Sequence, residues 1–122
     1  MINRILVCPN ILLSKVDRRF WLKQGLKDSD SEWNVLAQQV MVAQLDRVAG
    51  EGVGYSMDKW TSSELERREL IRYLGQDEIK NPVVLTGDIH SNWANELLLD
   101  FDGGKQRSVG TEFVGTSISS TG

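Results

Sequence analysis

Val83-Val84-Leu85-Thr86-Gly87-Asp88-Ile89-His90-Ser91 joins a short apolar run to a glycine and then to two potential metal ligands one residue apart. Val83, Val84 and Leu85 read as a buried strand, because β-branched and aliphatic side chains suit a pleated, enclosed surface. Gly87 is expected to let the chain leave the sheet in a backbone region that other residues resist. In extended backbone, residues two apart point to the same side. On that reading Asp88 and His90 aim a carboxylate and an imidazole into one crevice at the strand's end. A hard oxygen beside a borderline nitrogen is ligand chemistry for one or two metals. The structural alternatives stay open here, since a strand-end aspartate also caps turns and a lone histidine is also ordinary polar surface.

Outward from this segment, regular elements can be placed on both sides. Upstream, Ser63 and Glu66 have the spacing of a capping box. Leu65, Leu70, Ile71 and Leu74 would form the buried face of the helix that follows, with Gly75 as its stop. Before it, the glycines at 50, 52 and 54 mark a loop over 47–55 whose spacing fits neither a phosphate loop nor a dinucleotide fingerprint. Trp33 to Val42 reads as a strand whose alternation breaks at Ala37-Gln38-Gln39. A first helix is predicted from Lys15 to Lys27, capped by Ser14, with Val16, Phe20, Leu22 and Leu26 buried. Downstream, Trp93 to Phe101 and Arg107 to Val114 read as two strands. Asp102-Gly103-Gly104-Lys105 supplies turn chemistry between them. The predicted class is α/β, with a mixed sheet and a C-terminal β-hairpin. Leu97-Leu98-Leu99 calls for cover on both faces of its strand, and the polar run after Phe113-Val114 falls where packing should continue. Both suggest part of a larger fold.

Composition narrows the function. The 122 residues suit one domain, and 40% hydrophobic content is that of a folded protein. Fourteen basic against seventeen acidic residues leave a net charge of −3, with no basic cluster to track a phosphate backbone. No apolar run approaches the roughly 20 residues that span a bilayer. Met1 to Pro9 is too short for a signal peptide, whose apolar core alone takes roughly 7–15 residues. The single cysteine, Cys8, is read as an incidental thiol. Trp21, Trp33, Trp60 and Trp93 are assigned to packing, and Trp93 is also a candidate for lining the site. Asn92 and Asn95 are candidate orienting donors or turn residues. Arg67 and Arg68 are read as a solvated helix face. Ser117, Ser119 and Ser120 form a hydroxyl-rich tail with no partner base in view.

The segment Asn81-Pro82-Val83-Val84-Leu85-Thr86-Gly87-Asp88-Ile89-His90-Ser91-Asn92-Trp93-Ala94-Asn95-Glu96-Leu97 closely resembles the late metal-binding segment of the PhoD-type alkaline phosphatases, which are calcineurin-like metallophosphoesterases. Three further segments resemble the family in order: Trp21-Leu22 through Trp33 to Met41; Met57-Asp58-Lys59-Trp60 with Glu66-Arg67; and Thr111 to Ser120. The likeness runs from about Leu12 to Gly122. It implies part of a four-layered α/β sandwich whose strand-end loops converge on a two-metal centre. The implied chemistry is hydrolysis of phosphate mono- and diesters by metal-activated water, with nucleic acid entering only as a possible substrate. The implied cofactors are iron and calcium, with Asp88 a ligand of one metal and His90 of the other. An aspartate where related phosphoesterases carry a histidine is a harder ligand, compatible with calcium. Related proteins are exported.

The resemblance also implies ligands that these residues do not supply. The family's early aspartate with its cysteine and tyrosine, its bridging aspartate and its later asparagine have no counterpart here; Asn3, Cys8 and Asn10 do not reproduce the first motif. Thr61-Ser62-Ser63-Glu64 stands where the family usually has Asp-Gly-Tyr-Pro, and Ala37 replaces a usual glycine. Residues 1–122 are therefore expected to be the carboxy-terminal part of a PhoD-like metallophosphatase domain. Such a part would be completed by an amino-terminal half or would self-associate. The rival reading is a non-catalytic, truncated remnant that pairs with itself as a structural or binding module.

Overall fold

Parallel strands need a crossover of a dozen residues or more between them, and helices serve that purpose. The computed structural model describes residues 2–7, 15–44, 64–100 and 106–116. Along the chain run β1 (Ile2–Val7), α1 (Lys15–Lys27), β2 (Trp33–Val40), α2 (Glu64–Leu74), β3 (Pro82–Gly87), β4 (Trp93–Leu98) and β5 (Ser108–Val114). They build one five-stranded mixed sheet in the order β1-β2-β3-β5-β4. β1, β2, β3 and β5 are mutually parallel, and β4 returns antiparallel against β5 as a C-terminal hairpin. The predicted α/β class with a mixed sheet is the observed one. Among the described residues, no helix is long and apolar enough to cross a membrane.

Two successive crossovers of the same hand place both helices on one face of the sheet. The core lies there: Leu26 of α1 and Ile71 and Leu74 of α2 pack with Leu36, Val84, Leu97 and Val109 of the strands and with Val42 and Ile79. The helices are also tied to each other. Arg19 and Lys23 pair with Glu69, and the Tyr73 hydroxyl donates to the Lys23 carbonyl at 2.7 Å. Gly75 closes α2 where a Cβ would stand 2.8 Å from Val109 Cγ1, so the helix end seats on β5 only without a side chain.

Among the described residues, the opposite face is exposed along one row, although Val35 on the same face is buried. Register aligns Ala37, Leu85, Phe113 and Ala94 in one row across β2, β3, β5 and β4. Leu85 is 42% exposed and Phe113 48%.

Several expectations are corrected. Ile2–Val7, assigned no element from sequence, is a full strand beside β2. Phe20 is 69% exposed and Leu65 83%. Each lies six residues before a core residue of its helix, Leu26 and Ile71, which turns it about two-thirds of the way round the axis. The buried stripe of α2 is instead Arg67, Ile71 and Leu74, so Arg67 is not part of a solvated face, although Arg68 is exposed. Trp21, Trp33 and Trp93 are exposed and are not core packing residues. β2 ends at Val40 and β4 at Leu98, short of Val42 and Phe101. β4 is an edge strand, and of Leu97, Leu98 and Leu99 just Leu97 is buried. The break seen at Ala37-Gln38-Gln39 is a register shift between Ala37 and Val40, with the Gln38 amide turned back onto the Val40 carbonyl. The expectations for Cys8, Ser14, the side chain of Val16, the loop over 47–55, Trp60, Ser63, Phe101 with the 102–105 turn, and Ser117, Ser119 and Ser120 lie outside the described residues.

Candidate metal-binding loop

In a parallel sheet the strands deliver their carboxyl ends to one edge, which is where such folds place ligands. Here the pairs Val40↔Gly87 and Thr86↔Val114 bring the ends of β2, β3 and β5 together. The first residue of β4, Trp93, pairs with Val114 at the same edge. The segments 41–44, 88–92 and 115–116 therefore leave the sheet side by side.

Asp88 and His90 both sit on the loop between β3 and β4, and both are exposed. Their backbone departs from the extended form used in the spacing argument. Asp88 has φ 64° and His90 φ 59°, both left-handed. Gly87, by contrast, is the last residue of β3 and lies outside that region, so the turn is made by the candidate ligands themselves. Aspartate, asparagine and histidine tolerate this conformation best among residues with a Cβ, and Asn81 at the start of β3 shares it at φ 42°. Left-handed backbone still costs such a residue roughly 1–2 kcal/mol, and strain of this kind gathers at functional sites.

The loop is braced from within and from β5. The Trp93 indole N–H donates to Ser91 Oγ at 2.6 Å, and that hydroxyl donates to the Ile89 carbonyl at 3.4 Å. Gly115 N–H donates to the Thr86 carbonyl at 2.9 Å, and Thr116 N–H to Asn92 Oδ1 at 2.9 Å. Asn92 thus acts as a turn-side acceptor. Asn95 points inward, its amide donating to Glu112 Oε2 at 3.3 Å and approaching Met41 Sδ at 3.6 Å.

Glu112 was passed over from sequence, where a carboxylate in a strand reads as a solvent-facing residue. It is fully buried in the row Leu36, Val84, Glu112, Asn95 on the helix-covered face. Arg67 is also buried, bonded to Glu64 at 2.7 and 2.9 Å and to Gln44 Oε1 at 3.1 Å. The Arg67 hydrogen bond, aided by Arg68, holds the Glu64 carboxyl at about 2, well below its usual range, against a burial effect in the other direction.

The donor types at Asp88 and His90 suit a hard or borderline cation, but two donors fall short of the three that a catalytic centre usually takes from protein. Among the described residues, no group of three or more His, Cys, Asp or Glu side chains is placed to hold a metal.

Comparison with known proteins gives the family. The profile of the PhoD-like phosphatases matches residues 17–122. Alkaline phosphatase D of Bacillus subtilis (strain 168) is 40% identical over 114 residues, which are 93% of this chain and 20% of that protein. A solved structure described as the structure of PhoD superposes with a TM-score of 0.79 at 39% identity, covering 97% of this chain and 21% of that one. The chain thus spans about a fifth of the length of these relatives. With a family match over most of its length and the same fold at that identity, the chain belongs to the PhoD-like phosphatase family.

Proposed function

We propose that residues 1–122 form one domain, the carboxy-terminal part of a PhoD-like metallophosphatase domain, whose loop after β3 supplies part of a two-metal phosphoesterase centre. The observation that carries this reading is the pair Asp88 and His90, both left-handed and exposed on a loop braced at the carboxyl edge of the sheet. Asp88 would hold one cation through its carboxylate and His90 the other through a ring nitrogen, with iron and calcium the assigned pair. When bound, the cations supply activation of water near neutral pH and neutralisation of charge on the phosphoryl oxygens. The chain's own part is to orient these two donors and to keep the loop fixed through Gly115, Thr116 and Asn92. The substrate class is phosphate mono- or diesters, and the remaining ligands come from a complementing amino-terminal portion.

Calorimetric titration of the purified chain with Ca2+ and, anaerobically, with Fe2+ tests this. Uptake is expected in the wild type and is lost in Asp88→Asn and in His90→Ala. With only two donors, hydrolysis of nitrophenyl phosphate by the chain alone is expected to stay at background. Absence of uptake at millimolar metal, or uptake indifferent to both substitutions, refutes the assignment.

A second reading has its own support. The open row of Leu85 and Phe113 and the edge strands β1 and β4 favour self-association of a non-catalytic module.

A further inference from the structure

The Glu112 carboxylate gathers four neutral donors from three separate segments. Its Oε1 accepts Val42 N–H at 2.6 Å and the Thr86 hydroxyl at 3.2 Å. Its Oε2 accepts Ala43 N–H at 2.9 Å and the Asn95 amide at 3.3 Å. Thr86 stands two residues before Asp88, and Asn95 five residues after His90, so one side chain grips the candidate loop at both of its roots. Val42 and Ala43 belong to the neighbouring segment that leaves β2. A buried charge costs several kcal/mol unless its hydrogen-bonding capacity is met. An aliphatic residue in the row of Leu36 and Val84 would fill the same space without that cost. What the carboxylate adds is placement.

We propose that Glu112 is a positioning residue for the metal-holding loop, fixing Asp88 and His90 through Thr86 on one side and Asn95 on the other. The inference rests on the reading of that loop as a ligand-bearing one. Groups of this type around metal ligands commonly govern affinity by about 10–100-fold. Glutamine has the same shape, but only one of its two terminal atoms accepts, so Glu112→Gln sets an amide donor against the donors of one pair.

Two measurements on the whole chain separate positioning from bulk stability. In Glu112→Gln, hydrogen exchange at the Gly115 and Thr116 amides, which bond to Thr86 and Asn92, should quicken at least about tenfold more than exchange in α2. The Fe2+ dissociation constant should rise by about tenfold or more. Ile71→Ala, a core truncation on α2, should lower the melting temperature while leaving Fe2+ affinity unchanged below the transition. If Glu112→Gln does not fold, Thr86→Val, which removes one donor and keeps the branched shape, carries the test with the same two readouts at smaller amplitude. Exchange at Gly115 and Thr116 that merely follows global stability overturns the proposal. A wild type that takes up no metal sinks the functional reading instead, and the exchange comparison still decides the role of Glu112.

Discussion

Asp88 combines a chemical and a conformational demand, and substitutions can separate them. Its carboxylate is the proposed ligand, while its φ of 64° asks for a residue that accepts left-handed backbone. Asparagine meets the second demand but lacks the charge, alanine meets neither, and glycine removes the conformational cost altogether. Asp88→Asn should stay within about 0.5 kcal/mol of wild type. Asp88→Ala should be less stable than Asp88→Gly by about 1 kcal/mol, and none of the three should bind metal. Urea unfolding ranks the stabilities, and an Asp88→Ala variant as stable as Asp88→Gly would contradict the strain argument. Asp88 and His90 could be proposed from their one-residue spacing, because ligand chemistry follows residue type, and the structure places both on one exposed loop. Its backbone was not, since the spacing argument assumes extended chain where the loop has already left the sheet. Glu112 escaped notice for a different reason: nothing local distinguishes a carboxylate that meets water from one that meets four donors brought by distant segments.

At the scale of elements, α2 shows how an ion can join a buried stripe. Arg67, Ile71 and Leu74 follow the i, i+4, i+7 spacing of one helix face. Arg67 keeps its charge satisfied through Glu64 and Gln44, linking α2 to the segment that leaves β2. Hydrophobic periodicity finds Ile71 and Leu74, but it misplaces Leu65 and discounts Arg67, because it weighs residue type above angular position. The same logic passed over β1: Ile-Asn-Arg-Ile-Leu-Val has neither strict alternation nor turn residues at its start, and only pairing with β2 makes it a strand. The Glu64 to Arg67 pair gives a pH dependence with a definite sign. A carboxyl held at about 2 when folded, and near 4.3 when unfolded, stabilises the fold above the unfolded value. That contribution is lost as pH falls towards 2. Discounted for the partial exposure of Glu64, it is about 1–2 kcal/mol. Glu69, lowered by its hydrogen bond from Lys23, acts in the same direction with less weight because it faces water. Circular-dichroism unfolding at pH 7, 4.5 and 2.5 should show Glu64→Gln less stable at neutral pH and less sensitive to acid between 4.5 and 2.5. An acid slope equal to that of wild type would remove the pair from the account.

For the whole molecule, the unequal treatment of the two sheet faces matters most. One face carries both helices and the core; the other presents Leu85 and Phe113 in a single row. Exposed apolar rows of this kind associate, and Phe113→Lys with Leu85→Lys places charge on that face without touching the core. Sedimentation velocity on the wild type is expected to show self-association, and the doubly substituted chain to run as a monomer with unchanged circular dichroism. A wild type that is monomeric at high concentration would leave the second functional reading without support. The connectivity of the sheet also dictates an order of assembly. Trp93 to Leu98 meets Ser108 to Val114 across a short reversal, whereas Val35 must find Val83 and Leu85 must find Phe113 over much longer stretches of chain. Local closures are quick and distant parallel ones slow. On refolding, the ribbon of Trp93–Leu98 and Ser108–Val114 is expected to close first, and the pairing of Val35 with Val83, which spans the longest stretch of chain, to close last.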